Sequence, residues 1–348
     1  MPPIQAANIG DLVTTTLRDL GRMKFTDITS DLIRKIAMRE LMKEGRQDFQ
    51  SGYELQFNLM TNQNGSARFV GLGATDNTNI TDVMTTASVP WRHVTWNYAI
   101  ERRELAMNRT PAKIVDLIQT RRLAALVSAS ELFETAFWSL PAATDTVSPL
   151  GVPYWVVKSA TAGFNTTAPS GYTTVAGILP TAYSGRWANY AFPYTNITKD
   201  DFIAAWWLAA TRTDFEPSVE GMPTYNTGDR YGFYTNLIVY NALKQQLEAQ
   251  NDDLGNDLDT MNNEVHFRRA KVTYVPVLDA DTTNPMYGLN WGEFRTGVLQ
   301  GEWMNETKIP IQPGQHTVSA VHVDCSFQWF TRNRRRHFVG SNGTTLPA

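Results

Sequence analysis

Between Gln50 and Leu140 a long polar excursion of alternating strands, rich in Asn, Thr and Gly, runs directly into a long helix. This pairing constrains the fold more than any other stretch. The excursion holds too few apolar residues to build its own core, and an isolated two-stranded arm is marginal in water. The helix is predicted from Thr110 to about Leu140, and about 30 residues at ~1.5 Å each make a rod of roughly 45 Å. A loop that cannot stand alone, tied to a rod, predicts a protein whose partner surfaces are copies of itself.

The excursion reads as a hairpin. Leu55, Phe57 and Leu59 share one strand face, and Glu54, Gln56 and Asn58 share the other. Asn64-Gly65 is a turn signal, Phe69 to Leu72 a brief strand, and Gly71, Gly73, Asn77 and Asn79 a polar tip. A long returning strand, Val89 to Ile100, carries Trp91, Val94, Trp96, Tyr98 and Ile100. For the helix, Thr110 is a good N-cap, Pro111 suits the first helical position, and Pro141 is a stop. Ile114, Leu117, Ile118, Ala125, Ala129, Leu132, Ala136 and Phe137 form an apolar stripe. Glu131 and Glu134 lie near the negative end of the macrodipole, so cations from elsewhere, such as another subunit, are expected to offset them.

The 348 residues allow one large or two medium domains. Charged residues are 19%, fewer than the ~25% usual for soluble domains, and Trp91 and Trp96 belong to a set of ten tryptophans. Both traits fit a chain with extensive interfaces. The net charge of −3 argues against a dedicated nucleic-acid binder. One cysteine, Cys325, rules out an internal disulfide. No signal peptide is visible, and the longest strongly apolar run, Phe202 to Ala210, is too short to span a bilayer.

Residues 1–48 read as an arm. Ser30 or Asp31 caps a helix through Leu32, Ile33, Ile36, Ala37 and Leu41, and eight basic side chains nearly cancel seven acidic ones. Gly151-Val-Pro-Tyr-Trp-Val-Val is expected to open a strand, and Ser159 to Tyr194 to form a long surface loop. Thr198 caps a short helix whose Phe202, Ile203, Trp206, Trp207 and Leu208 predict burial on most sides. Asn236 to Gln250 is a second helix with Leu237, Tyr240, Leu243 and Leu247 inward, and Lys271 to Leu278 a buried strand. From Thr317 the chain alternates again: Val318, Ala320, His322, Asp324, Ser326 and Gln328 share one face, and Val321, Val323, Cys325, Phe327 and Trp329 the other. Arg332 and Arg334 to Arg336 follow as a basic knot.

Motifs for chemistry are weak. His322, Asp324 and Ser326 share a strand face, but same-face neighbours stand ~6.7 Å apart, too far for a direct relay. Asp253, Asp257, Asp259 and Glu264 approach calcium-loop spacing, yet Leu258 occupies the glycine place and Gly255 a ligand place. The five histidines are scattered with no zinc signature. Gly71-Leu-Gly73 lacks the third glycine of a dinucleotide fingerprint. No catalytic, cofactor or metal residues are assigned. Arg332, Arg334, Arg335 and Arg336 suit phosphate contact, salt bridges to a neighbour, or a solvated patch.

The order of these parts resembles the major capsid protein of tailed double-stranded DNA bacteriophages, with its α+β Hong Kong 97-like fold. Local phrases carry the same resemblance: Leu150-Gly-Val-Pro-Tyr-Trp-Val-Val, Pro276-Val-Leu-Asp-Ala-Asp-Thr-Thr-Asn-Pro-Met-Tyr-Gly-Leu-Asn and Phe327-Gln-Trp-Phe-Thr-Arg-Asn-Arg-Arg-Arg. The resemblance implies an N-terminal arm (1–49), an extended loop (50–108), a peripheral domain with a spine helix (109–141 and 306–348) and an axial domain (142–305). It implies a non-enzymatic shell protein with no cofactor. Pentamers and hexamers would close an icosahedral capsid in the host cytoplasm and enclose DNA by weak, non-specific contact. Trp91, Trp96, Glu131, Glu134, Arg332, Arg334, Arg335 and Arg336 are the expected subunit-interface residues. Only about 50 residues precede the extended loop, so a separate scaffolding protein is expected, beside a portal protein, with a cement protein as a further partner and no membrane. No lysine lies between Lys43 and Lys113, which removes a lysine crosslink from that loop. The alternatives are an encapsulin-like nanocompartment protein and, from another class, a soluble carbohydrate-active hydrolase.

Overall fold

The computed structural model describes residues 37–41, 46–73, 75, 80, 82–107, 111–214, 231–250, 265–268, 270–309 and 317–342. A helical turn, Ala37–Leu41, precedes β1 (Gln47–Gln50), β2 (Glu54–Met60), β3 (Met84–Pro90) and β4 (Arg92–Glu101). Then come α1 (Arg102–Met107), α2 (Pro111–Phe137), α3 (Val152–Trp155), β5 (Gly163–Asn165) and β6 (Asn189–Tyr194). A wide turn at Lys199–Ile203 runs into α4 (Ala204–Thr213). β7 (Tyr231–Thr235), α5 (Leu237–Gln250), β8 (His266–Phe267) and β9 (Ala270–Tyr274) follow. The chain closes with β10 (Met286–Asn290), β11 (Phe294–Leu299), β12 (Asn305–Ile309), β13 (Val318–Thr331) and β14 (Phe338–Asn342).

Two sheets organise the molecule. The first has the order β1-β11-β13-β12, with β4 on the free side of β13. The alternation seen in the sequence makes β13 its longest strand: Val318 to Phe327 pair β4, while β12 and β11 share the opposite edge. The second sheet has seven strands in the order β5-β6-β14-β10-β7-β9-β8. β2 and β3 form a separate ribbon. β11 lies in the first sheet and β14 in the second.

α2 covers the β4–β13 face. The Phe133 ring meets Trp96 edge-on at 6.1 Å and Phe327 at 5.1 Å. One turn further on, Phe137 touches Trp138, Phe294 and Trp329 at 4.9–5.6 Å. Burying each such ring stabilises the fold by about 1.5–3 kcal/mol. A second core lies between the seven-stranded sheet and helices α4 and α5, where Trp206 stacks on Phe267 at 3.8 Å and meets Phe233 edge-on at 5.1 Å.

Several sequence expectations are corrected. The strand returning from the hairpin is two strands, not one. β3 pairs β2, and β4 joins β13 in another sheet. The switch falls at Pro90-Trp91, where Pro90 has no N–H for a ladder and the Trp91 indole donates to the Gly52 carbonyl at 3.0 Å. α2 ends at Phe137, ahead of Pro141, and its buried face is Ala129, Phe133, Glu134 and Phe137, while Leu132 is exposed. Gly151-Val-Pro-Tyr-Trp forms a helical turn, not a strand. Gly151 lies against the carbonyls of Ala136, Phe137 and Ser139, so near that a Cβ would stand 2.4–2.6 Å from them. The expected surface loop at 159–194 ends in β6, which is buried between β5 and β14. The strand expected over 271–278 stops at Tyr274, and a 3-10 turn begins at Pro276. Phe202 of the Lys199–Ile203 turn and Trp206 of α4 are buried, but Trp207 and Leu208 are about half exposed. On α5, Val239 and Leu243 point inward and Leu237 outward. The predicted cap at Ser30 or Asp31, the Thr110 cap, the Asn77 and Asn79 tip, and the acidic loop at 253–264 lie outside the described residues.

Candidate assembly surface

The β2–β3 ribbon has two different halves. Its base is part of its own subunit's core. Leu55, Phe57, Ala87 and Val89 are buried, and Phe57 meets Trp155, Trp187 and Phe330 at 5.2–6.5 Å. Leu55 sits so close over Gly297 of β11 that a Cβ there would come within 2.6 Å. The expectation that the whole arm lacks a core is therefore corrected for the base. The distal part is different: Phe69, Leu72 and Ile80 are as exposed as in an extended chain.

The expected interface residues separate into two groups. Trp91 is buried at the ribbon base. Glu134 has no exposed surface, and its Oε1 accepts the Trp138 indole N–H at 2.7 Å, so an internal donor sits beside this carboxylate. Arg334 also has no exposed surface. Its Nε donates to the Trp155 carbonyl at 2.8 Å, Nη1 to the Trp187 carbonyl at 2.8 Å, and Nη2 to Asn189 Oδ1 at 3.1 Å. Burial pushes its guanidinium down to about 9, still above neutral pH, so it remains a cation. Arg336 is buried beside Glu293 at 3.6 Å, and burial pushes that carboxyl up against the opposing pull of nearby arginines. Trp91, Glu134, Arg334 and Arg336 are thus enclosed by their own chain.

Trp96, Glu131, Arg332 and Arg335 keep partly exposed surface. Arg332 Nη2 and Arg295 Nη1 both bind Asp48, at 2.6 and 3.0 Å, which fixes β1 against β11. Arg335 lies over the Phe164 ring at 4.7 Å. The knot is therefore mostly an internal fastener. Sequence reasoning could not separate its members, because alternate arginines of one turn face the core and the rim.

The strand face bearing His322, Asp324 and Ser326 forms no relay within β13. Ser326 Oγ instead bonds His93 Nδ1 of β4 at 2.7 Å, across the ladder. The Cys325 thiol is buried, and burial pushes it up to about 11, away from the reactive thiolate.

No family model matches the chain, and no curated protein matches it in sequence. Solved structures do. The structure described as the cyanophage A-1(L) capsid asymmetric unit is similar over 91% of this chain and 95% of its own, with a TM-score of 0.59 and 16% identity. The capsid of a native GTA particle is similar over 92% and 96%, with a TM-score of 0.56 and 12% identity. The bacteriophage PhiM1 mature capsid subunit is similar over 93% and 92%, with a TM-score of 0.53 and 11% identity. At these identities the likeness defines a fold. The chain is an α+β protein with the Hong Kong 97-like capsid fold along nearly its whole length.

Proposed function

We propose that this chain is the major capsid protein of a tailed double-stranded DNA phage, a structural protein without catalytic activity. It assembles as pentamers and hexamers into an icosahedral shell around DNA. The observation that carries the reading is the capsid fold over more than nine-tenths of the chain. The solvated apolar tip at Phe69, Leu72 and Ile80 supports it, because a neighbouring subunit would cover these side chains. In this reading residues 1–49 are the arm, 50–108 the extended loop, 109–141 and 306–348 the peripheral domain, and 142–305 the axial domain. Trp96, Glu131, Arg332 and Arg335 are the expected residues still able to meet a neighbour.

The lysine-free stretch from 44 to 112 makes the clasp between subunits noncovalent on the loop's side. A separate scaffolding protein and a portal protein complete the particle, its stability rests on noncovalent overlap or on a cement protein, and the DNA is held by weak, non-specific contact. Electron microscopy of the expressed chain, with and without its scaffold, tests the reading. Closed shells or capsomers support it. Only monomers under all conditions would count against it. DNA, and not protein cargo, inside particles separates it from a nanocompartment.

A further inference from the structure

Two turns with left-handed backbone meet the β2–β3 ribbon, one beside its base at Ser88 and one at its distal end at Thr85. The first is the reversal Val175–Ile178, with Ala176 at φ 53° and Gly177 at φ 77°. Its Ala176 carbonyl accepts the Ser88 N–H of β3 at 3.2 Å, and its Ala176 N–H is held by the Tyr154 hydroxyl at 2.9 Å. The second is Tyr183-Ser184-Gly185, at φ 55°, 57° and 69°. Consecutive left-handed residues other than glycine each cost of order 1–2 kcal/mol, so something must hold them there. The Tyr183 hydroxyl shares a hydrogen bond with Thr85 Oγ1 at 2.8 Å, and Thr85 Oγ1 approaches Thr61 Oγ1 at 3.4 Å. The row Tyr183–Thr85–Thr61 therefore crosses both strands where pairing stops, at Met60 and Met84.

The two ends of the ribbon are secured by different physics. The base is anchored by buried Leu55, Phe57 and Val89. At the distal end Met60 and Met84 are more than half exposed, Leu59 is only partly buried against the core, and polar contacts add to the attachment. We propose that Tyr183-Ser184-Gly185 is a latch that sets the angle at which the distal end of the ribbon, at Met60 and Met84, leaves the body of the chain. Breaking the Tyr183–Thr85 contact frees the distal half of the ribbon to swing about its buried base. The latch lies within one subunit and does not depend on the shell reading.

Hydrogen exchange with mass spectrometry on the 348-residue chain tests this. In Tyr183→Phe, which keeps the ring and loses the hydroxyl, peptides covering 58–61 and 83–86 should exchange roughly two- to tenfold faster. The segment 54–57 should be unchanged. Thr85→Val should reproduce the pattern, and it keeps the proposal testable if Tyr183→Phe folds poorly. Ser184→Gly relieves the left-handed cost without touching the hydroxyl, so its distal segments should stay at least as protected as in the parent. The proposal is overturned by unchanged exchange at 58–61 and 83–86 in both hydroxyl variants. Equal acceleration at 54–57, or loss of protection in Ser184→Gly, would overturn it as well.

Discussion

Arg334 grips Trp187 twice: Nη1 donates to the Trp187 carbonyl at 2.8 Å, and the guanidinium lies 5.7 Å from the centre of the indole ring. The same guanidinium reaches Trp155 and Asn189, so one side chain ties the turn after β13 to α3 and to the start of β6. Planar geometry matters here, because three acceptors are met by one rigid fork.

Arg334→Ala should deprive the Trp155 and Trp187 carbonyls of their guanidinium donor, leave Asn189 Oδ1 only its Val157 N–H partner, open a cavity, and cost roughly 3 kcal/mol or more. Arg334→Lys should recover only part, since an ammonium cannot match the fork. Scanning calorimetry of purified subunits checks this. An unchanged transition in Arg334→Ala would contradict the clasp.

His337 gives a pH dependence with a definite sign. Asn290 N–H donates to its Nδ1 at 3.1 Å, which leaves Nε2 to donate to Thr331 Oγ1 at 2.7 Å, so the ring is neutral. Burial, and then the nearby Arg334 and Arg336, push its pKa down to about 3 from the ordinary 6.5. Between those values the unfolded chain binds the extra proton. The contribution of neutral His337 is therefore full above about pH 6.5 and is lost as pH falls towards 3, at up to about 1.4 kcal/mol per pH unit. The gap in melting temperature between the parent and His337→Gln should narrow steadily from pH 7 to pH 4. A constant gap would refute the assignment.

Gly151→Ala should be among the most damaging single-methyl changes in the chain. Its Cβ would stand 2.4–2.6 Å from three backbone carbonyls, which cannot swing aside like a side chain. A loss of at least about 2 kcal/mol is expected, read as a lower melting temperature or loss of soluble subunit.

Phe69→Ser and Leu72→Ser should do the reverse. Both side chains are fully solvated in the subunit, so melting should move by no more than about 0.5 kcal/mol equivalent. Particle yield by sedimentation should fall sharply. Normal particle yield from the double variant would remove the tip from the proposed contact.

Much of the architecture was legible from local chemistry. The period of β13, the apolar alternation at Leu55 and Phe57, and the Pro111 start of the long helix all follow from side-chain spacing and backbone limits. Other features depended on long-range partners. Nothing local makes Val152–Trp155 a helical turn; the seat of Gly151 against the end of α2 does. Nothing in Asn189–Tyr194 marks a central strand until β14 arrives to pair with it.

The sequence by itself determined the long helix from Pro111, the alternation of β2 and β13 and the absence of a lysine between Lys43 and Lys113, because these rest on periodicity, proline chemistry and composition. Only the tertiary structure decided which of these side chains are enclosed and which keep exposed surface. Arg334 and Arg335 are adjacent in sequence and equal in charge, yet one is wholly buried and the other lies over Phe164 at the rim. Burial is set by what the rest of the chain brings to each side of a turn, and no local pattern encodes that.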